Sequence, residues 1–255
     1  MQGGTTDARR IAVYTCITGG YDRQPQPSVV DPRFDYFCFT DDPSTVAAPW
    51  TPRPIGLSHL RPKDQNRYIK MHPHEVLPEY EVTIYLDGNL QIVGDAHAVV
   101  SRALQQPEDV FAYDHFCRKC VYDEAAFLSE MSHDWVWKFA RQMRRYRAHG
   151  YPRGLGLFDA SVMIRRNTPR MRELMSAWWN EYRAGVSRDQ ISLPWVAWRQ
   201  GIPVGSLGIN DRFHTQLVFR AVDHAPRRFD PIVTLRKYIN RLSGTLFSYD
   251  RLFGR

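Results

Sequence analysis

Two residues able to do chemistry together stand in residues 82–95, VTIYLDGNLQIVGD. Asp87 and Asn89 lie two apart, directly after the run Val82-Thr83-Ile84-Tyr85-Leu86, which reads as a buried strand. Side chains two apart on extended backbone project to one side, and Gly88 between them lets a ligand come close to the main chain. A carboxylate and an amide oxygen at a strand end can hold a hard divalent cation and, through it, a diphosphate. The other reading is a strand closed by an ordinary Asp-Gly turn.

Strands and helices must position these groups, and the chain supplies them in alternation. Ile11–Ile17 reads as a first strand that runs into Thr18-Gly19-Gly20-Tyr21-Asp22, a turn carrying hydroxyls, free backbone and an aromatic ring. Pro25, Pro27 and Pro32 mark a loop before a second strand at 35–40, closed by Asp41-Asp42-Pro43. A β–loop–β opening with polar residues after each strand suits a nucleotide lying across strand ends. Residues 46–62 are proline-rich and read as loop. Residues 63–76 read as a helix interrupted or ended at Pro73, with Arg67 and Lys70 one turn apart just ahead of the central strand.

Past Gly94-Asp95 the pattern gives a short helix through Leu104, a strand at 110–113, and one long helical region over 123–149. A glycine-rich connection at 150–156 leads to a strand at 157–164, then to a helix at 171–183 that Thr168 caps ahead of Pro169. Ser187-Arg188-Asp189-Gln190 precedes an apolar helix with Trp195 and Trp198, and Asp189 there is either a helix cap or a carboxylate facing a ligand. From Ala225 the chain is basic and amphipathic: Arg227, Arg228, Arg236, Lys237, Arg241, Arg251 and Arg255 against Asp230 and Asp250. The alternation predicts an α/β fold with one main sheet.

Composition narrows the classes. The 255 residues, 43% hydrophobic and 24% charged, suit one soluble domain with a sizeable core. No apolar run approaches the roughly 20 residues that span a bilayer. The opening MQGGTTDARR lacks the apolar core of a signal peptide, which predicts a cytoplasmic protein. Cys16, Cys38, Cys117 and Cys120 are too few for a disulfide scaffold. The lone CxxC at 117–120 with His115 makes an incomplete zinc set, so all four read as reduced thiols. A net charge of +7 and a pI near 9.3 favour anionic partners without choosing among them. A nucleic-acid binder is one such class, but no recognised binding motif is present. GxSxG and HExxH are absent, against a hydrolase.

Several blocks in this order resemble one group of glycosyltransferases: IAVYTCITGGYD, DYFCFTDD, RPKDQNRYIKMHPHEVLPEYEVTIYLDGNLQI, HFCRKCVYDEA, GLFDASVMIRRN and RDQISLPW. They resemble the family of the plant rhamnogalacturonan galacturonosyltransferases, which also has bacterial members, over about residues 10–200. The layout is also similar to the glycogenin and lipopolysaccharide galactosyltransferase family. The resemblance implies a GT-A-type, Rossmann-like domain over 10–224 with a mixed, mainly parallel sheet, between a flexible stretch at 1–9 and a basic extension at 225–255.

The implied activity is transfer of a hexosyl or uronosyl group from a nucleoside diphosphate sugar, with UDP the expected carrier, to a glycan, polysaccharide or glycolipid hydroxyl. A non-catalytic nucleotide-sugar or glycan-binding module is the alternative. Asp87 and Asn89 stand at the family's Asp-x-Asp, so Mn²⁺ or Mg²⁺ would be the cofactor, with His214 as third ligand. Asn is a weaker ligand than a carboxylate, which leaves metal dependence open.

Arg67 and Lys70 would neutralise the diphosphate, and their other reading is a solvated helix face. Thr15, Thr18, Tyr21 and Asp22 would line the nucleoside, or serve turn chemistry alone. Asp189 would face the sugar beside Gln190, as the base of an inverting enzyme or the orienting carboxylate of a retaining one. Asp159 and Ser161 would bind the donor sugar, while His115, Tyr122 and Glu124 would shape the acceptor side. The basic C-terminal segment fits either the inner face of an anionic membrane or an ordinary packed helix.

Overall fold

Every residue of β1 (Ile11–Ile17) is buried, as expected of a strand with neighbours on both edges and layers on both faces. The computed structural model describes residues 10–210, 217–223 and 231–247. On one side β1 pairs in parallel with β2 (Phe34–Thr40), and β2 with β3 (Thr51–Pro54). On its other side β1 pairs in parallel with β4 (Val82–Leu86). The order continues through β7 (Phe158–Arg166), β6 (Val110–Asp114) and β8 (Gly205–Ile209), giving seven strands in the sequence β3-β2-β1-β4-β7-β6-β8. Only β7 runs antiparallel to its neighbours. This is the mixed, mainly parallel α/β sheet expected from the sequence. A separate antiparallel pair joins β5 (Leu90–Ile92) to β9 (Phe219–Ala221).

The period of two along each strand sorts two cores. Tyr14, Tyr85 and Met163 face a layer built from α1 (Pro62–Met71), α4 (Val121–Glu130), α5 (Val136–Ala148), α6 (Pro169–Ala184) and α7 (Asp189–Gln200). Val13, Ile84 and Val162 face α3 (Ala96–Ala103) on the other side. A short α2 (Pro73–Val76) follows α1, with Pro73 in its first turn where a missing N–H costs nothing. Thr168 accepts from the Met171 N–H at 3.1 Å and caps α6 as expected. The four cysteines are free thiols.

The long helical region expected over 123–149 is two helices. The N–H of His133 donates to the Leu128 carbonyl at 3.0 Å and Ser132 sits at φ 57°, a Schellman-type stop made with serine in the left-handed region instead of glycine. No local side chain caps the start of α5. Asn240 does so from α8 (Pro231–Phe247): its Oδ1 accepts from the Val136 N–H at 3.0 Å, and its Nδ2 donates to the carbonyls of Ser129 and Asp134 at 3.0 and 2.9 Å.

Asn240→Ala strips a buried junction of three partners, with an expected cost of about 2–3 kcal/mol. The melting temperature should fall by roughly 5 °C or more. An unchanged midpoint in thermal unfolding would mean that α8 is not seated here.

Candidate functional site

Two ties fix α1 against the end of β1, and a third holds the turn after β1 to the end of β2. Thr18 Oγ1 donates to the Pro62 carbonyl at 2.8 Å, Asn66 Nδ2 donates to the Cys16 carbonyl, and the Gly19 N–H donates to Asp41 Oδ2 at 2.7 Å. Gly19 has φ +64°, and a Cβ there would press on Pro62 Cβ at 3.3 Å, so the turn under α1 favours glycine. Held this way, α1 presents Lys63, Arg67 and Lys70, spaced four and three apart, as one stripe toward the strand ends.

The stripe meets two carboxylates. Lys70 is 1% exposed. Its Nζ lies 2.6 Å from Asp189 Oδ2, 3.5 Å from Asp87 Oδ1 and 5.0 Å from the Tyr85 ring centroid. Arg67 Nε lies 3.3 Å from the same Asp189 oxygen. Lys63 Nζ donates to the Ser187 carbonyl at 2.8 Å, and Arg188 pairs with His133 Nδ1.

Asp189 is the first helical residue of α7. Arg188 holds the cap position, and no side chain caps the helix. The cap reading of Asp189 is therefore replaced: its carboxylate faces the cations of α1. Its carbonyl is pinned by Trp178 Nε1 at 3.1 Å, and Trp178 also donates to Ser192 Oγ at 3.0 Å.

The electrostatics follow from burial and proximity. Burial alone would raise the Asp189 carboxyl, but Arg67 and Lys70, then Arg188, hold it well below the usual carboxylate range. Burial would lower Arg67, yet Asp189 and Asp87 outweigh it and hold the guanidinium charged. Desolvation lowers Arg188 against the pull of Asp189. Desolvation, then Arg188 and Arg67, bring the Lys63 ammonium down to about 8. Arg67 and Lys70 thus contact the two carboxylates directly, while Lys63 and Arg188 add positive charge close by.

The sheet explains which other predicted residues join this cluster. Because β7 runs antiparallel, its beginning lies at the same edge as the end of β4, and the Asp87 N–H donates to the Ser161 carbonyl at 2.8 Å. Asp159 is buried there. Its Oδ1 accepts from the Ser161 N–H at 3.0 Å and its Oδ2 from Asn210 Nδ2 at 2.8 Å. Ser161 Oγ is buried with no hydrogen-bond partner. A Cβ on Gly88 would sit 2.9 Å from Ile17 Cγ1 and 3.5 Å from Asp22 Oδ2, which brings Asp22 to the same turn. Thr15 is fully buried in β1, Tyr21 is half exposed, and Gln190 is partly exposed beside Asp189.

The acceptor-side trio is held by partners within the protein, and Glu124 also acts on Arg188. Tyr122 is buried in the helical core and donates to the Tyr151 carbonyl at 2.7 Å. Glu124 is buried in an ion pair with Arg118. His115 Nδ1 accepts from the Arg118 N–H at 3.1 Å. His214 lies outside the described residues.

For a divalent ion the fit is poor among the described residues. Asn89 Nδ2 donates to the Val222 carbonyl at 3.1 Å, the Val222 N–H returns to the Asn89 carbonyl at 2.9 Å, and no three acidic, His or Cys side chains gather. The Lys70 ammonium stands 3.5 Å from Asp87, where a metal would face a like charge.

One supporting residue was hidden from sequence reasoning. Arg165 of β7 is fully buried with no acidic partner among the described residues. It donates to the Lys70 carbonyl and, at 2.6 Å, to Tyr14 Oη, so it caps the last turn of α1 with positive charge. The only signal was its place in the IRR run of a strand.

A family model described as "TOD1/MUCI70, glycosyltransferase-like domain" matches residues 58–213, more than half of the chain. The matched stretch holds the α1 stripe, Asp87, Asn89, Asp159, Ser161 and Asp189. No curated protein matches. Among solved structures, the apo crystal structure of mouse xyloside xylosyltransferase 1 is similar at a TM-score of 0.46 and 10% identity, over 78% of this chain and 84% of that one.

Proposed function

Because the chain belongs to the TOD1/MUCI70 glycosyltransferase-like family, we propose that it moves a hexosyl or uronosyl group from UDP to a hydroxyl of a glycan, polysaccharide or glycolipid. One observation carries this reading: Lys70 and Arg67 meet Asp189, and Lys70 also meets Asp87, at the carboxyl edge of β1 and β4, where α/β sheets bind ligands, with Lys63 and Arg188 beside them. Breaking the bond between sugar C1 and the diphosphate builds negative charge on the leaving group, and fixed cations in a desolvated site stabilise that charge.

Lys70 is the central donor. Arg67 offers a planar fork to a second phosphate oxygen, and Lys63 and Arg188 supply the surplus charge. Asp189 aligns Lys70 and Arg67 and faces the sugar. Its carboxylate is engaged as the counter-charge of Lys70 and Arg67, which assigns it to orientation and charge balance instead of deprotonation of the acceptor. Asp22, Asp159 and Ser161 line the same edge for the nucleoside and the sugar. Neutralisation by side chains makes Mn²⁺ a minor contributor.

A thermal-shift panel of UDP, GDP, CDP and their sugars, with Mn²⁺ or with chelator, tests this. UDP at about 100 times its Kd should stabilise the protein by about 2.7 kcal/mol, equally in both conditions. UDP-sugars should also turn over to UDP with a suitable acceptor. If no nucleotide shifts the melting temperature, the reading fails. A shift that needs Mn²⁺ would return the diphosphate to Asp87 and Asn89.

A further inference from the structure

Helix α8 has two unlike faces. Asn240, fully buried, locks one face onto the α4–α5 junction. The large apolar residues Ile232, Leu235, Tyr238 and Leu242, spaced three, three and four apart, share an exposed stripe, with Tyr238 67% exposed. Exposed Lys237 and Arg241 flank that stripe. A helix seated by a polar residue, with Leu235, Leu242 and Tyr238 turned outward, reverses the usual arrangement of a surface helix in a globular protein.

We propose that α8 is a peripheral docking element that lays its outward stripe into the surface of an anionic lipid bilayer. At 17 residues the helix is about 25 Å long, and no helix among the described residues is long and apolar enough to cross a membrane, so it lies along the surface. Charge selects the occupant. Lys237 and Arg241 beside the stripe, on a chain of net charge +7, attract anionic headgroups, whereas a second copy would bring the same cations to the same face.

The surface around the seat adds to the case. The junction that Asn240 holds also exposes Met131 and Trp137, and Trp137 stacks on Trp135 at 4.6 Å between centroids. Exposed tryptophan with its polar N–H suits the headgroup layer. The same junction contributes His133 to Arg188, next to Asp189. The binding surface itself does not depend on the glycosyltransferase reading.

Vesicle flotation of the full chain tests the proposal, using phosphatidylcholine alone and phosphatidylcholine mixed with phosphatidylserine. The chain should float with the mixed vesicles, lose binding as salt rises, and bind phosphatidylcholine alone far more weakly. Lys237→Ala with Arg241→Ala should weaken binding to the mixed vesicles roughly tenfold or more. Leu235→Glu with Leu242→Glu should abolish it while leaving the melting temperature unchanged, since both positions are exposed. Absence of binding to mixed vesicles, or equal binding by the Leu235→Glu, Leu242→Glu protein, would overturn the proposal. So would a wild-type dimer in sedimentation velocity that the same double variant dissociates, which would assign the stripe to a second copy.

Discussion

On the proposed function, Lys70→Met is expected to weaken UDP-sugar binding and turnover strongly while the protein stays folded. Methionine keeps the length and apolar stem of the lysine, so the pocket over Tyr85 remains filled. What disappears is one ammonium, 2.6 Å from Asp189 and 3.5 Å from Asp87, at the centre of the cation cluster. Asp189 retains Arg67 at 3.3 Å, so no buried carboxylate is left bare and the stability cost stays small.

The catalytic cost is large, because removing one preorganised donor to developing charge lowers turnover by about 10²–10³. Loss of affinity for UDP itself should accompany it, since the ground-state diphosphate carries charge as well. Titration calorimetry with UDP and initial rates of UDP release check both. Wild-type affinity and rate in Lys70→Met would place the diphosphate elsewhere. Arg67→Met should show a weaker version of the same defect, because Arg67 is the second cation on the same oxygen.

The difference between Lys70 and its neighbours also shows how far the sequence could be read. The core strands were legible because runs such as Ile11–Ile17 and Val82–Leu86 are apolar throughout, the mark of strands buried on both faces. The outer strands were not. β3 contains Pro52 and Pro54 and is exposed along its length, so it read as loop, and β8 carries Gly205 and Gly208, which blur a strand pattern. The break between α4 and α5 was hidden because Ser132 takes the left-handed place that glycine normally signals, and because its cap, Asn240, lies about a hundred residues away.

In the site, Arg67 and Lys70 were visible as a helical pair ahead of a strand. Lys63 was not, because its value depends on Ser187, Arg188 and Arg67 converging in space. Asp189 was ambiguous by pattern, and the extended backbone at Arg188 decided it by leaving the carboxylate free of capping. Tyr122 and Glu124 carry no spacing signal of their own, and their contacts with Tyr151 and Arg118 join residues whose pairing no local pattern announces.

Asp189→Asn is expected to have the largest effect on stability, and that effect should depend on pH in a defined sense. The substitution leaves Lys70, 1% exposed, and Arg67 with only Asp87 as counter-charge, which costs about 3–5 kcal/mol for a broken buried pair. In the folded protein Asp189 titrates well below its unfolded value, because Arg67 and Lys70 outweigh its desolvation. Unfolded, an aspartate titrates near 3.9. Stabilisation by its charge is therefore complete above about pH 4 and is lost progressively as pH falls below that, toward the folded value. The gap in unfolding free energy between wild type and Asp189→Asn should be constant from about pH 5 to 7. Below pH 4 it should narrow, by at most about 1.4 kcal/mol per pH unit.

Urea unfolding at a series of pH values measures this directly. A gap that stays constant down to pH 3 would mean that the carboxylate is not held by the cations of α1. The same depression makes a claim on catalysis. Asp189 keeps its charge throughout the working range, so the rate should show no acidic limb near pH 5–6 from this residue. Such a limb in wild type that vanished in Asp189→Asn would make Asp189 a proton acceptor and restore the role of general base.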